Sequence, residues 1–366
     1  MATDVPDLEK FGEFASASAG GEVLFATDDF FAVCENMLSD DDPIFISDKY
    51  TDYGKWMDGW ETRRKRIPGH DWCLIKLATK CVIKGVKIDT AYFTGNYAPK
   101  FSIQGACLTS EEEALIPKRD ARMGTACSED DMEQIKQLKS DKWYSITAVT
   151  ALRPGYEGTR LNYAKVSSRE PVTHIRVNIY PDGGIARLRV YGVAKPKIPT
   201  DNDPIDLMSL LNGATCLDYS NAHYGHPRNM IKPSKSRCMA DGWETARRLD
   251  RPEIIEANPD GTLRVPGEEW AIFKLAFTGS IKNICIDTAH FKGNYPDSVK
   301  IQGAVISGNW SSDLNVTWQS ILKPTKLSAH QEHWFSCDTA MFSHIKVTIA
   351  PDGGISRIRA LGLAQI

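Results

Sequence analysis

No run of roughly 18 to 20 apolar residues occurs in this chain of 366 residues, so nothing in it has the length of a bilayer-spanning helix. The opening MATDVPDLEKFGEF lacks the basic-then-apolar order of a secretory signal, and the final Ala364-Gln365-Ile366 is not a peroxisomal address of the Ser-Lys-Leu type. The expectation is a cytoplasmic protein without a membrane partner, with the peroxisome left open as the other compartment. The nine cysteines form no CxxC pair, which reads as scattered reduced thiols and not a disulfide frame. On that reading the sequons at Asn309 and Asn315 carry no meaning. A formal charge of −3 with 25% charged residues excludes a polyanion-binding arm, so no nucleic-acid partner is expected. There is no GxSxG, no phosphate loop, no GxGxxG and no HExxH, which removes the usual serine hydrolase, ATPase, dehydrogenase and zinc protease readings. His223-x-x-His226 and His330-x-x-His333 have ligand spacing, but nothing completes a shell around either; no metal and no cofactor are expected.

What the chain does contain, it contains twice. DGWETRRKR, Asp58 to Arg66, returns as DGWETARR from Asp241, 183 positions on. GHDWCLIKLA, from Gly69, returns as GEEWAIFKLA from Gly267, now 198 positions on, so the second copy gains a loop within RPEIIEANPDGTLRVP. IDTAYFTGNYAPKFSIQGA, from Ile88, matches IDTAHFKGNYPDSVKIQGA from Ile286; KWYS at Lys142 faces HWFS at His333; HIRVNIYPDGGIARLRVYG, from His174, matches HIKVTIAPDGGISRIRALG from His344. A weaker early match keeps Asn36 with Asn229 and Met37 with Met230. AKPKIPTDNDP suits an exposed linker. The organisation predicted is an N-terminal extension at 1–19, a first repeat at 20–193, a linker at 194–204 and a second repeat at 205–366.

Within each repeat the apolar residues alternate. Ile175, Val177 and Ile179 face one way, with His174, Arg176 and Asn178 opposite, as in a half-buried strand. Pro181-Asp182-Gly183-Gly184 then reads as the turn of a hairpin returning through Leu188 and Val190. Helical periodicity is convincing only near Ser128 to Ser140, which opens with a capping serine and acids. Many short strands between turn residues predict an all-β chain of two tandem homologous jelly-roll β-sandwich domains.

The polar residues kept in both copies read two ways. Asp58, Glu61, Thr62 and Arg64, with Asp241, Glu244, Thr245 and Arg247, are either turn caps and surface pairs or a site. Asn96 and Tyr97, with Asn294 and Tyr295, are turn formers or ligand-facing groups. His290 replaces Tyr92 and breaks the symmetry with a group able to move a proton near neutrality. Arg187 and Arg189, like Arg357 and Arg359, stand two apart on a strand and offer guanidinium forks that suit a carboxylate.

Taken together, GGEVLFATDDFFAVCENML, both DGWET segments, DTAYFTGNYAP and both PDGG-x-x-R-x-R segments resemble the allantoicase family, from about Gly20 to Leu363. The order of motifs within each copy is similar to galactose-binding-like or discoidin-like jelly rolls. The resemblance implies hydrolysis of allantoate to ureidoglycolate and urea, in a homo-oligomer. Such a substrate needs its carboxylate gripped, its planar ureido groups hydrogen-bonded, the departing nitrogen protonated and water delivered. Glu61 and Glu244 are assigned to proton transfer, with His290, Asp58 and Asp241 as further catalytic candidates. Arg64 and Arg247, or Arg187 and Arg357, are assigned to the carboxylate, and Asn96, Asn294 and Tyr295 to substrate binding. A tandem discoidin-like sugar- or protein-binding module is the rival reading, because fold alone does not fix function.

Overall fold

A computed structural model describes residues 7–197 and 203–365. The start of the expected N-terminal extension, the centre of the expected linker and Ile366 lie outside the described residues. The chain divides into two units between Lys195 and Pro196. Each unit is built around one strand of 19 residues, Asp71–Asp89 in the first and Glu269–Asp287 in the second. Such a strand is too long to serve one layer of a small sandwich, and its two halves have different neighbours. In the first unit Cys73 to Lys76 pair with both Glu22–Ala26 and Pro171–Tyr180, while Val86 to Asp89 pair with both Arg187–Ala194 and Leu161–Ala164. One layer continues through Lys100–Ala106 to Tyr144–Ala151, and the other ends on Gly12–Glu13. These strand pairings are antiparallel, and the second unit repeats them strand for strand, giving two jelly-roll β-sandwiches.

This topology corrects four sequence expectations. The strands on either side of PDGG do not form a hairpin: both pair with the long strand, on opposite sides of it, and the turn carries the chain from one layer to the other. Alternation cannot distinguish the two arrangements, since either strand would show the same period of two. On the way, Gly184–Ile185 pairs with Trp60–Glu61, which brings the PDGG and DGWET segments side by side. Gly183 has a φ of +125°, and a Cβ there would lie 2.8 Å from the backbone of Tyr97 and Ala98, so the residue is glycine for two reasons. Second, KWYS and HWFS are not equivalent. Tyr144–Ala151 pairs with Lys100–Ala106, whereas Glu332–Ser336 pairs with the long strand, as Leu161–Ala164 does; Glu332 sits opposite Asp287 as Leu161 sits opposite Asp89.

Third, Pro171–Tyr180 is buried on both faces. Arg176 stacks on Trp72 at 3.9 Å and donates to Asn178 and Ser140 at 2.8 Å each, and the segment carrying the helix Glu129–Ile135 packs over that layer. That helix is shorter than its pattern: Ser128 and Asp131 form a reciprocal cap, and a 3-10 turn at Lys136–Leu138 follows. Ile135 packs on Phe25, Trp72 and Leu74. Fourth, residues 8–19 are not an appendage. Leu8, Phe14, Ala15 and Ala19 are buried, and Gly12–Glu13 is an edge strand of the first sandwich, so its core begins before Gly20.

Candidate active site

Most of the repeated polar residues hold the rim of each sandwich in place. Trp60 and Trp243 are fully buried, and each indole N–H donates to a backbone carbonyl at 2.8 Å, of Asp28 and Asn221 respectively. Asn36 and Asn229 give their amides to the carbonyls of Gly59 and Gly242, at 3.1 and 3.0 Å, which accounts for the one asparagine that the weak early match preserved. Thr62 and Gly183 exchange hydrogen bonds, as Thr245 and Gly353 do. Asp89 and Asp287 each accept from the backbone N–H two residues on, a turn that explains the repeated IDTA.

Arg187 and Arg357, just after the PDGG turns, are fully engaged. Arg187 donates to the Asp58 carboxylate at 2.8 Å and to the carbonyls of Asp41, Asp58 and Ala186. Arg357 does the same with Asp241, Ser234 and Ser356, deep in the second unit. Burial pushes the Asp241 carboxyl upward, but Lys232 and Arg357 outweigh it and hold the group below the ordinary carboxylate range. These four residues are braces. Assigning Arg187 and Arg357 to a substrate carboxylate is therefore corrected, because their donors are already used, and Asp58 and Asp241 have their oxygens turned to the same bridges.

What remains of the motif is a glutamate and an asparagine. Asn96 Nδ2 donates to Glu61 Oε1 at 2.6 Å, and Asn294 Nδ2 donates to Glu244 Oε1 at 2.5 Å. The backbone carbonyl of each asparagine accepts from the second glycine of PDGG, so the GNY loop, the closing turn and the DGWET strand fix the pair together. The surroundings differ. Glu61 is buried, which pushes its carboxyl up to about 7 against the lowering effect of the Asn96 amide. Glu244 is half-buried and opens on a hollow of about 950 Å³. Arg247, Tyr224, Tyr295 and Asn294 line that hollow, and Arg251, Leu263, Val265 and Pro266 supply its wall.

Those wall residues come from the stretch that only the second copy has, folded as a small hairpin of Glu256–Ala257 against Leu263–Arg264. Tyr224 and Arg251 were not singled out by motif matching, since neither has an identical counterpart in the first copy. The signal for Arg251 was the change of offset from 183 to 198, an added loop beside the repeated acid. The structure thus brings together Glu244, Arg247, Asn294 and Tyr295, and separately Glu61 and Asn96. Arg64 is exposed on the first unit's rim. His290 does not line the hollow: its backbone N–H donates to His330 Nδ1 at 2.7 Å and its Nε2 lies 2.8 Å from the carbonyl of Ser236. Of the histidines with ligand spacing, His226, His330 and His333 are also turned to backbone, and the His223 ring meets the edge of Tyr224. His226 Nδ1 accepts from Arg228 N–H, and His333 lies against the carbonyl of Ile286 and the N–H of Ser328. Among the described residues no group of three or more His, Cys, Asp or Glu is gathered as an ion would need.

A rim with a carboxylate held by an amide, repeated in tandem sandwiches, can be placed among known proteins. The family model of the allantoicase repeat matches residues 12–195 and 205–365. A probable allantoicase 1 of Burkholderia mallei is 40% identical over 363 residues, covering 96% of this chain and 94% of that protein. A probable allantoicase of Acinetobacter baumannii is 39% identical over 368 residues, covering 99% and 96%. The crystal structure of allantoicase from Saccharomyces cerevisiae superposes with a TM-score of 0.72 at 32% identity, over 95% of this chain and 92% of that one. Both repeats are matched, at full length and in both sequence and fold: the chain belongs to the allantoicase family.

Proposed function

We propose that this chain is an allantoicase, hydrolysing allantoate to ureidoglycolate and urea, and that the reaction takes place in the hollow of the second copy. The observation that carries the site is Glu244, held by Asn294 at a hollow that Arg247 also lines. In the reaction one C–N bond to a ureido group breaks, the oxygen of water takes its place on the carbon bearing the carboxylate, and a proton reaches the departing nitrogen. Glu244 is the group placed to move that proton. Only one of its oxygens is hydrogen-bonded by Asn294, which fixes the carboxylate without blocking it. Arg247 has no hydrogen bond or ion pair among the described residues and suits the substrate carboxylate. Tyr224 and Tyr295 offer flat faces and hydroxyls to the planar ureas.

Replacing Glu244 with Gln tests this. Urea release should fall by about 10²–10⁴-fold, the usual worth of one placed acid or base. Turnover at the wild-type rate overturns the assignment. No observation favours the rival reading as a non-catalytic binding module. Among the described residues no helix is long and apolar enough to cross a membrane. A homo-oligomer in the cytoplasm is proposed on family resemblance, with light scattering and cell fractionation as its checks.

A further inference from the structure

The charged groups around the second copy's hollow are unevenly engaged. Three of its four acids are already committed. Asp250 is bridged to Arg248 at 2.6 Å, Asp352 accepts from the Arg248 backbone N–H at 2.7 Å, and Asp297 is paired with Lys326 and accepts from Leu263 N–H. Arg248 is committed as well, to Asp250 and Glu269. That leaves Glu244 in a hollow also lined by two guanidinium-bearing residues, Arg247 and Arg251, neither of which has a hydrogen bond or ion pair among the described residues. Arg247 has a counterpart in Arg64, but Arg251 stands on the stretch that the first copy lacks.

We propose that Arg251 is a specificity-determining residue, the second half of a two-guanidinium clamp that with Arg247 selects substrates carrying a carboxylate beside a neutral, planar, urea-like group. The inference rests on the reading of this hollow as the reaction site and adds to it the residue that confers substrate choice. A guanidinium that is free before binding offers its whole fork to the ligand, and a second one on another part of the rim fixes the carboxylate's orientation as well as its presence. Any added loop could wall a hollow. This one also brings a cation to a cavity in which Arg247 is free, and so confines carboxylate selection to the second copy.

The test compares urea release from allantoate with release from its carboxamide analogue, in which the carboxylate is replaced by a neutral amide, using the full-length protein and its Arg251→Gln, Arg251→Lys and Arg247→Gln variants. Arg251→Gln should raise KM for allantoate about 10–100-fold, the range expected for a lost charged hydrogen bond, with kcat within about threefold. It should lower the preference for carboxylate over carboxamide by a similar factor, and Arg251→Lys should restore part of it. A merely structural role would move both substrates together. If Arg251→Gln leaves the preference at the wild-type value, the inference is overturned, whatever Glu244→Gln does. If the preference collapses while Glu244→Gln stays active, the clamp stands and the assignment of Glu244 falls.

Discussion

The two copies keep the same glutamate–asparagine pair and have lengthened different loops around it. From Asn36 to Asp58 the first copy spans 22 positions where the second, from Asn229 to Asp241, spans 12; past the motif the second copy has the longer connection. The first copy's added loop folds onto its own rim. Phe45 stacks on Tyr92 with ring centroids 5.6 Å apart, Lys55 donates to the carbonyls of Ile46 and Ser47, and Met57 packs with Phe93 and Tyr97. The second copy's added loop stands up as a hairpin and walls a hollow. The exchange of Tyr92 for His290 accompanies this: both residues have a positive φ, but the tyrosine has the stacking partner of the longer loop, whereas the histidine ring meets the Ser236 carbonyl and the edge of the His330 ring. The motif supplies the pair, and the neighbouring loops decide whether its carboxylate is enclosed or opens on a hollow.

The most direct way to break this contrast is to remove each glutamate in turn. Glu244→Gln should cost about 10²–10⁴-fold in turnover, while Glu61→Gln should leave urea release within a few-fold of wild type. Equal losses would mean that the loops do not separate the copies. Next in size are the braces. The Asp241–Arg357 bridge is sealed, with both side chains 3% exposed, whereas in Asp58–Arg187 the acid is 16% exposed. Breaking a buried pair strands a charge, so Asp241→Asn should cost roughly 3–5 kcal/mol and Asp58→Asn less, read from the guanidinium unfolding of the full chain. The reverse ranking would show that burial does not order the two bridges.

Much of this was legible in the sequence because duplication filters noise. Both copies kept the strand patterns, the tight PDGG turn and the DGWET residues, and offset arithmetic located the added loop. The limits were physical. A strand pattern does not say which neighbour it pairs with, so a crossing between layers was read as a hairpin. Arg187 and Arg357 were repeated for a reason that repetition cannot reveal, since a brace and a ligand-binding fork are kept equally well. KWYS and HWFS look alike because exposed aromatics alternate on many edge strands. Arg251 and Tyr224 lack an identical partner in the other copy, so a method built on comparing copies could not select them.

The enclosed carboxyl of Glu61 sharpens the contrast through pH. Its folded value of about 7 lies above the ordinary glutamate range, because burial disfavours the charged form more than the Asn96 amide favours it. Below about pH 4 the group is protonated both folded and unfolded and costs nothing. As pH rises toward 7 the unfolded chain ionises first, and folding loses stability until the folded pKa is passed, by an amount on the order of 3 kcal/mol. Glu61→Gln removes that dependence. Its melting temperature should match wild type near pH 4 and exceed it increasingly toward pH 8, and parallel curves would show that Glu61 is not desolvated.

The smallest expected effect concerns a compensated exchange. In the first copy Arg63 donates to Asp28 at 2.7 Å and lies over Phe30; in the second, Ala246 and Asn221 stand in the same two places, and the Asn221 side chain still accepts from the Ala246 backbone N–H. The backbone contact survives and the charges have left together. Asp28 is 8% exposed and Arg63 48%, so the partners are unequal. Arg63→Ala leaves a buried carboxylate oxygen without its cation and should cost about 1–2 kcal/mol, whereas Asp28→Asn leaves a half-exposed guanidinium that water and Phe30 can satisfy. The double variant, which rewrites the first copy as the second, should therefore be more stable than Arg63→Ala alone and within about 0.5 kcal/mol of wild type. If the two single losses simply add, the exchange was not compensated, and the two copies reached their present pairs by independent drift.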